Sequence, residues 1–66
     1  MTNYYTFRKH NENGGWNIQN IMFLPMSGKF SIYSDYYKDN VYNSMTFNSY
    51  DEAVNFLLEN GFDYYC

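Results

Sequence analysis

Few groups in this chain are able to do acid–base, nucleophilic or metal chemistry. They are one imidazole at His10, one thiol at Cys66, and carboxylates that include Asp35, Asp39, Asp51, Glu52, Glu59 and Asp63. A nucleophile or general base works when a partner holds it in one orientation. His10 precedes the turn-forming run Asn11-Glu12-Asn13-Gly14-Gly15, and the local sequence supplies no such partner, so it reads as an exposed turn histidine. One His and one Cys fall short of the four ligands of a structural zinc site. Gly14-Gly15 is not a phosphate loop, because no Gly-Lys-Ser/Thr follows and no helix begins there. Catalytic carboxylates need environments that separate their proton affinities, usually inside a cleft. A chain of 66 residues has little volume for one. The expectation is a protein that is not an enzyme and takes neither metal nor cofactor.

The residues that stand out are rings. Nine Tyr, six Phe and Trp16 accompany only eight Ile, Leu or Val positions. Rings must build the core, and they exceed what it can hide. Tyr supplies broad, stiff, half-polar contact area, so the surplus points to a surface that touches something. Four basic residues against seven acidic ones give a net charge of −3. That argues against duplex nucleic acid as a partner, since phosphate contacts need Lys and Arg. Aromatics on a sheet face are also the stacking platform of single-strand binders, but such platforms are rimmed by basic residues that are scarce here. Carboxylates on a rigid sheet can imitate phosphates; six scattered ones do so poorly, and an ordinary solvated acidic surface is the plainer reading.

The lone cysteine fits a reducing, cytoplasmic setting better than a disulfide-rich secreted one. Cys66 reads as an inert terminal thiol, with a cross-link between two chains as the competing reading. The start Met1-Thr2-Asn3-Tyr4-Tyr5 lacks the features of a signal peptide, and the apolar run Ile21 to Met26 is too short to span a bilayer. A soluble single domain over residues 1–66 is expected. With neither disulfide nor zinc to staple so small a core, dimerisation is a natural support.

The elements that must position these residues follow from periodicity. Tyr4 to Lys9 reads as a strand, with Tyr5 and Phe7 on one side and Tyr4 and Thr6 on the other. The Asn-Gly-Gly turn leads into a second strand, Trp16 to Leu24. There Trp16, Ile18, Met22 and Leu24 share one parity, interrupted by Asn20, while Ile21 and Phe23 take the other near the strand end, which is open to cover on both sides. Pro25-Met26-Ser27-Gly28 breaks the strand. A third strand is expected over Lys29 to Tyr37, with Phe30, Ile32 and Tyr36 inward and Tyr33, Asp35 and Tyr37 outward. A fourth is expected over Val41 to Phe47. At Asn48 the period changes to helical. Ser49-Tyr50-Asp51-Glu52 matches a capping box, Ala53, Phe56, Leu57 and Asn60 recur at helical spacing, and Asn60-Gly61 closes the helix. Asp63 to Cys66 is either a short edge strand or a tail.

The expected fold class is therefore α+β: a three- to four-stranded antiparallel β-meander with one C-terminal α-helix packed on one face. One short helix covers one face of a sheet. The uncovered face is expected to carry Tyr4, Tyr33, Asp35, Tyr37, Tyr42 and Phe23, with the first five as partner contacts. In size and composition (small, acidic, rich in Tyr and Asn, a meander with one helix) the chain resembles small phage and mobile-element proteins that bind and inhibit host machinery, such as anti-CRISPR proteins and inhibitors of uracil-DNA glycosylase. The resemblance implies a non-catalytic binder of another protein, a host nucleic-acid-processing or defence enzyme, acting in the host cytoplasm. The alternatives are a homodimerising structural or regulatory protein and a single-strand nucleic-acid binder.

Overall fold

The computed structural model describes residues 5–65. Tyr4 and Cys66, and with them one expected partner contact and the terminal thiol, lie outside the described residues. Within them the chain runs β1 (Thr6–His10), β2 (Trp16–Leu24), β3 (Lys29–Tyr33), a 3-10 turn (Tyr37–Asp39), β4 (Thr46–Phe47), α1 (Tyr50–Glu59) and β5 (Asp63–Tyr64). The strands form one antiparallel sheet in the order β4-β3-β2-β1-β5, so the expected α+β meander with one helix is present. After four strands in sequence order, the chain crosses one face as α1 and returns beside β1 as a two-residue fifth strand. Of the two forms open to the last residues, the edge strand is the one adopted.

Turn chemistry sets the register. Asn11 N–H donates to the Gly15 carbonyl (2.8 Å), Gly14 N–H donates to the Asn11 carbonyl (3.1 Å), and Gly14 sits at φ 89°. Between β2 and β3, Gly28 N–H donates to the Leu24 carbonyl (2.8 Å) from φ 71°, the positive angle a short hairpin of this kind needs. Leu24 therefore pairs with Lys29, Phe23 with Phe30 and Ile21 with Ile32. Directly paired residues share a face. The inner, helix-covered face of β2 is thus Gln19, Ile21 and Phe23, and not the parity of Trp16, Ile18, Met22 and Leu24. Phe23 belongs beside Phe30, with ring centroids 5.2 Å apart, rather than on the open face.

Two strand assignments shorten. The third strand stops at Tyr33 and the fourth keeps only Thr46 and Phe47. The polar run between them satisfies its own backbone locally: Ser34 N–H donates to Asn40 Oδ1 (3.1 Å), and Asp39, Asn40 and Met45 N–H groups donate to the carbonyls of Tyr36, Tyr37 and Tyr42. Asn and Ser offer the backbone such alternatives to a ladder. Tyr42, expected outside, is half-buried against the core. Its ring meets Phe56 edge-on at 5.2 Å and Phe62 at 6.3 Å.

Helix α1 begins and ends as its sequence demands. Ser49 Oγ accepts from Glu52 N–H (3.2 Å), and Glu52 Oε2 accepts from Asn48 N–H (3.0 Å). At the other end Phe62 N–H donates to the Leu57 carbonyl and Gly61 N–H to that of Leu58, a Schellman closure with Gly61 at φ 88°. Lys9 Nζ reaches from β1 to the Asn60 carbonyl (2.9 Å), placing a cation at the negative helix end. Ala53, Val54 and Leu57 bury against Phe7, Ile21, Ile32 and Phe62, and Phe30, Phe47, Tyr50 and Phe56 close the margin. Loss of the cap in Ser49→Ala should cost about 0.5–2 kcal/mol. A urea denaturation midpoint equal to that of the wild type would show that the cap does not hold the helix start.

Candidate functional site

The helix covers one face of the sheet and, among the described residues, leaves the other bare. Register fixes what the bare face carries. His10 pairs with Trp16 and Arg8 with Ile18, so these four share it. Met22 pairs with Ser31, Leu24 with Lys29, and Tyr33 with Asn20. Met22 is 44% exposed, a high value for a large side chain in the middle strand of five, and Trp16, at the end of β2 beyond its pairing with β3, is 43% exposed. Thr6 Oγ1 donates to Asn20 Oδ1 (2.9 Å) across the centre of the face.

One end of this face is built from stacked rings. The His10 and Trp16 rings stack with centroids 3.8 Å apart, and the Arg8 guanidinium carbon lies 4.2 Å from the Trp16 ring and 4.8 Å from the Tyr65 ring. A guanidinium over an indole is held by the ring quadrupole and adds rigidity where it forms. His10, expected as a plain turn residue, is exposed and stands at the end of β1 as one wall of this stack.

β2 extends beyond its pairing with β3, which ends at Asn20 with Tyr33. The segment after β3 folds back along that free stretch. Gln19, fully buried, donates from Nε2 to the Asp39 carbonyl (2.7 Å) and to Asn17 Oδ1 (2.7 Å). Ser34 Oγ accepts from Tyr36 N–H (3.3 Å). These bonds hold the segment beside β2 and leave a cleft of about 220 Å³ lined by Trp16, Ile18, Ser34, Asp35, Tyr36 and Asp39. Removing the anchor in Gln19→Ala takes away one of the two donors to the Asp39 carbonyl, which keeps Val41 N–H (2.9 Å), and should cost about 0.5–1.5 kcal/mol. The Asp39 and Asn40 amides should exchange faster than the core-strand amides in that variant. Unchanged exchange at those two positions would mean that Gln19 does not anchor the segment.

Of the expected contacts, Tyr33 lies on the bare face, half-buried. Asp35 is exposed and lines the cleft. Tyr37 is 76% exposed on the 3-10 turn, and its ring neighbours Tyr36 at 5.7 Å. The three do not form the strand stripe that period two suggests, because β3 ends before Asp35. Tyr42 belongs to the core margin. The site residues that sequence reasoning passed over are Trp16, Ile18, Met22, Leu24, Arg8, Tyr36 and Asp39. The signal for the first four was the register of the β2–β3 hairpin.

Apart from Asp35 and Asp39 at the cleft, the carboxylates are dispersed. Asp51 and Glu52 serve the first helical turn, Glu59 ends the helix, and Asp63 lies opposite Arg8 in the β1–β5 register at the sheet edge. Among the described residues, no group of three or more His, Cys, Asp or Glu is placed to hold a metal ion. No helix among them is long and apolar enough to cross a membrane. No protein-family model, curated protein or solved structure matches the chain.

Proposed function

We propose that this chain is a non-catalytic protein-binding module that engages another protein through the helix-free face of its sheet. The observation that carries the reading is the exposure of Trp16 and Met22 on a central strand whose opposite side forms the core. A rigid sheet presents such side chains at low entropic cost, and Trp, Tyr and Arg dominate interface hot spots. Trp16, Tyr33 and Arg8 all share this face. In its concrete form the module is a phage-type inhibitor of a host nucleic-acid-processing or defence enzyme. The acidic balance and the likeness in size and composition to such inhibitors support that form.

The test is a side-by-side affinity capture from the native cell lysate, with the wild-type chain and Met22→Asp as baits. A charge at the middle of the contact has no partner, while the fold keeps its core. A protein retained by the wild type and absent with Met22→Asp supports the reading. Equal retention by both baits contradicts it.

A second reading, a single-strand nucleic-acid binder, is favoured by one observation: Arg8 and Lys29 lie on the same face as Trp16 and Tyr33. Stacking on exposed rings beside cations is how such binders work. Quenching of Trp16 fluorescence by an oligonucleotide, steeply weakened by salt, would support it over protein binding.

A further inference from the structure

From the cleft beside Trp16, we infer that the chain binds a cationic side chain with an apolar stem, a lysine or arginine presented by its protein partner. The inference rests on the protein-binding reading and names what one end of the face recognises. Three features converge on this chemistry.

The first is size. At about 220 Å³ the cleft falls below the roughly 300–1,000 Å³ of pockets for drug-sized ligands, so it suits one side chain. The second is the sign of its charge. Asp35 and Asp39 line the cleft and no basic residue does. Arg8 sits on the Trp16 ring but outside the lining, and Lys38, exposed on the 3-10 turn, is also outside it. The third is the distribution of polarity. Trp16, Ile18 and Tyr36 are apolar or aromatic, and Ser34, Asp35 and Asp39 are the polar residues of the lining. Lysine and arginine divide in the same way, with an alkyl stem that packs on apolar surface and a charged head that seeks carboxylates or ring faces.

The walls are set before any ligand arrives. Trp16 is stacked on His10 and held by Arg8, and the opposite wall is tied to β2 by Gln19. Preorganisation of this kind reduces the ordering cost of binding. Asp35, expected as a partner contact in a strand stripe with Tyr33 and Tyr37, takes that role in the cleft together with Asp39.

The experiment is a titration of the full isotope-labelled chain, followed by backbone amide shifts. The three probes are Nα-acetyl-lysine methylamide, Nα-acetyl-arginine methylamide and the neutral isostere Nα-acetyl-norleucine methylamide. Saturable shifts confined to Trp16, Ile18 and residues 34–39 are expected with a cation, at dissociation constants on the order of millimolar, and norleucine should bind about tenfold more weakly. The tighter of the two cations identifies the side chain. The double variant Asp35→Asn, Asp39→Asn should retain its thermal midpoint and lose most of the preference for a cation over norleucine. The inference is overturned if norleucine binds as well as lysine and arginine, or if none gives a saturable shift in the cleft. The comparison of probes on the wild type needs no variant, so it decides the matter even if the double mutant folds poorly. Met22 lies outside the cleft. Cation binding with no effect of Met22→Asp on capture would keep the cleft and reject the face, and the reverse pattern would reject the cleft alone.

Discussion

Leu57→Ala is expected to remove a large part of the chain's stability and to lower its urea midpoint sharply. Leu57 is fully buried where α1 meets Phe7, Ile21, Ile32 and Phe62. Its truncation removes apolar contact and leaves a cavity, at a cost of about 2–5 kcal/mol. At roughly 0.05–0.15 kcal/mol per residue, a 66-residue chain has about 3–10 kcal/mol in all. The loss is therefore about half of the whole stability at the centres of the two ranges. Leu57 also supplies the carbonyl that accepts from Phe62 N–H, so its position fixes how Phe62 enters the core. Leu58, the next residue, is 38% exposed, and Leu58→Ala should cost well under about 2 kcal/mol. Urea denaturation followed by far-ultraviolet circular dichroism compares the pair. A Leu57→Ala midpoint close to that of Leu58→Ala would mean that the helix is not docked through Leu57.

The second large effect concerns binding and spares the fold. Trp16→Ala should weaken partner binding by about 2 kcal/mol or more, near thirtyfold in dissociation constant. The ring is nearly half exposed, lies outside the core, and forms the junction between the bare face and the cleft. Its internal stack with His10 and Arg8 gives a stability cost of about 0.5–1.5 kcal/mol, smaller than the binding loss. Isothermal titration of the captured partner, beside a denaturation curve for the same variant, separates the two quantities. A variant that binds as the wild type does would remove Trp16 from the contact. So would one whose binding loss is wholly accounted for by unfolding.

Much of the fold was legible because local signals agreed. Ser49 and Glu52 marked the helix start, Asn60-Gly61 its end, and Asn13-Gly14 and Ser27-Gly28 the hairpins. What failed was the assignment of faces on β2. Trp16, Ile18, Met22 and Leu24 share one parity of β2 and Ile21 and Phe23 the other, so period two alone does not choose the core face, and Phe23 was placed on the uncovered one. Pairing makes the choice. With Phe30 and Ile32 inward, a four-residue turn between Leu24 and Lys29 forces Phe23 and Ile21 inward too. The two stretches that flank the polar turn Lys38-Asp39-Asn40, Ser34 to Tyr37 and Val41 to Met45, were misread for a different reason. Their Tyr and Val residues have strand propensity, but Ser34 and Asn40 bond the local backbone and break the ladder. Tyr42 then turns inward to meet Phe56. The cleft was invisible in the sequence because it joins β2 to residues that follow β3, and the buried Gln19 links them.

If the helix-free face is the contact, Trp16 must lose water when the partner binds. It is the only tryptophan, so 5-fluorotryptophan places one fluorine probe on that face. The measurement is the fluorine resonance of the labelled chain, free and in complex with the partner captured by the wild type, in H2O and in D2O. A shifted resonance and a smaller solvent isotope effect are expected in the complex, because the ring leaves water. A bound complex whose resonance and isotope effect match those of the free chain would contradict a contact through this face.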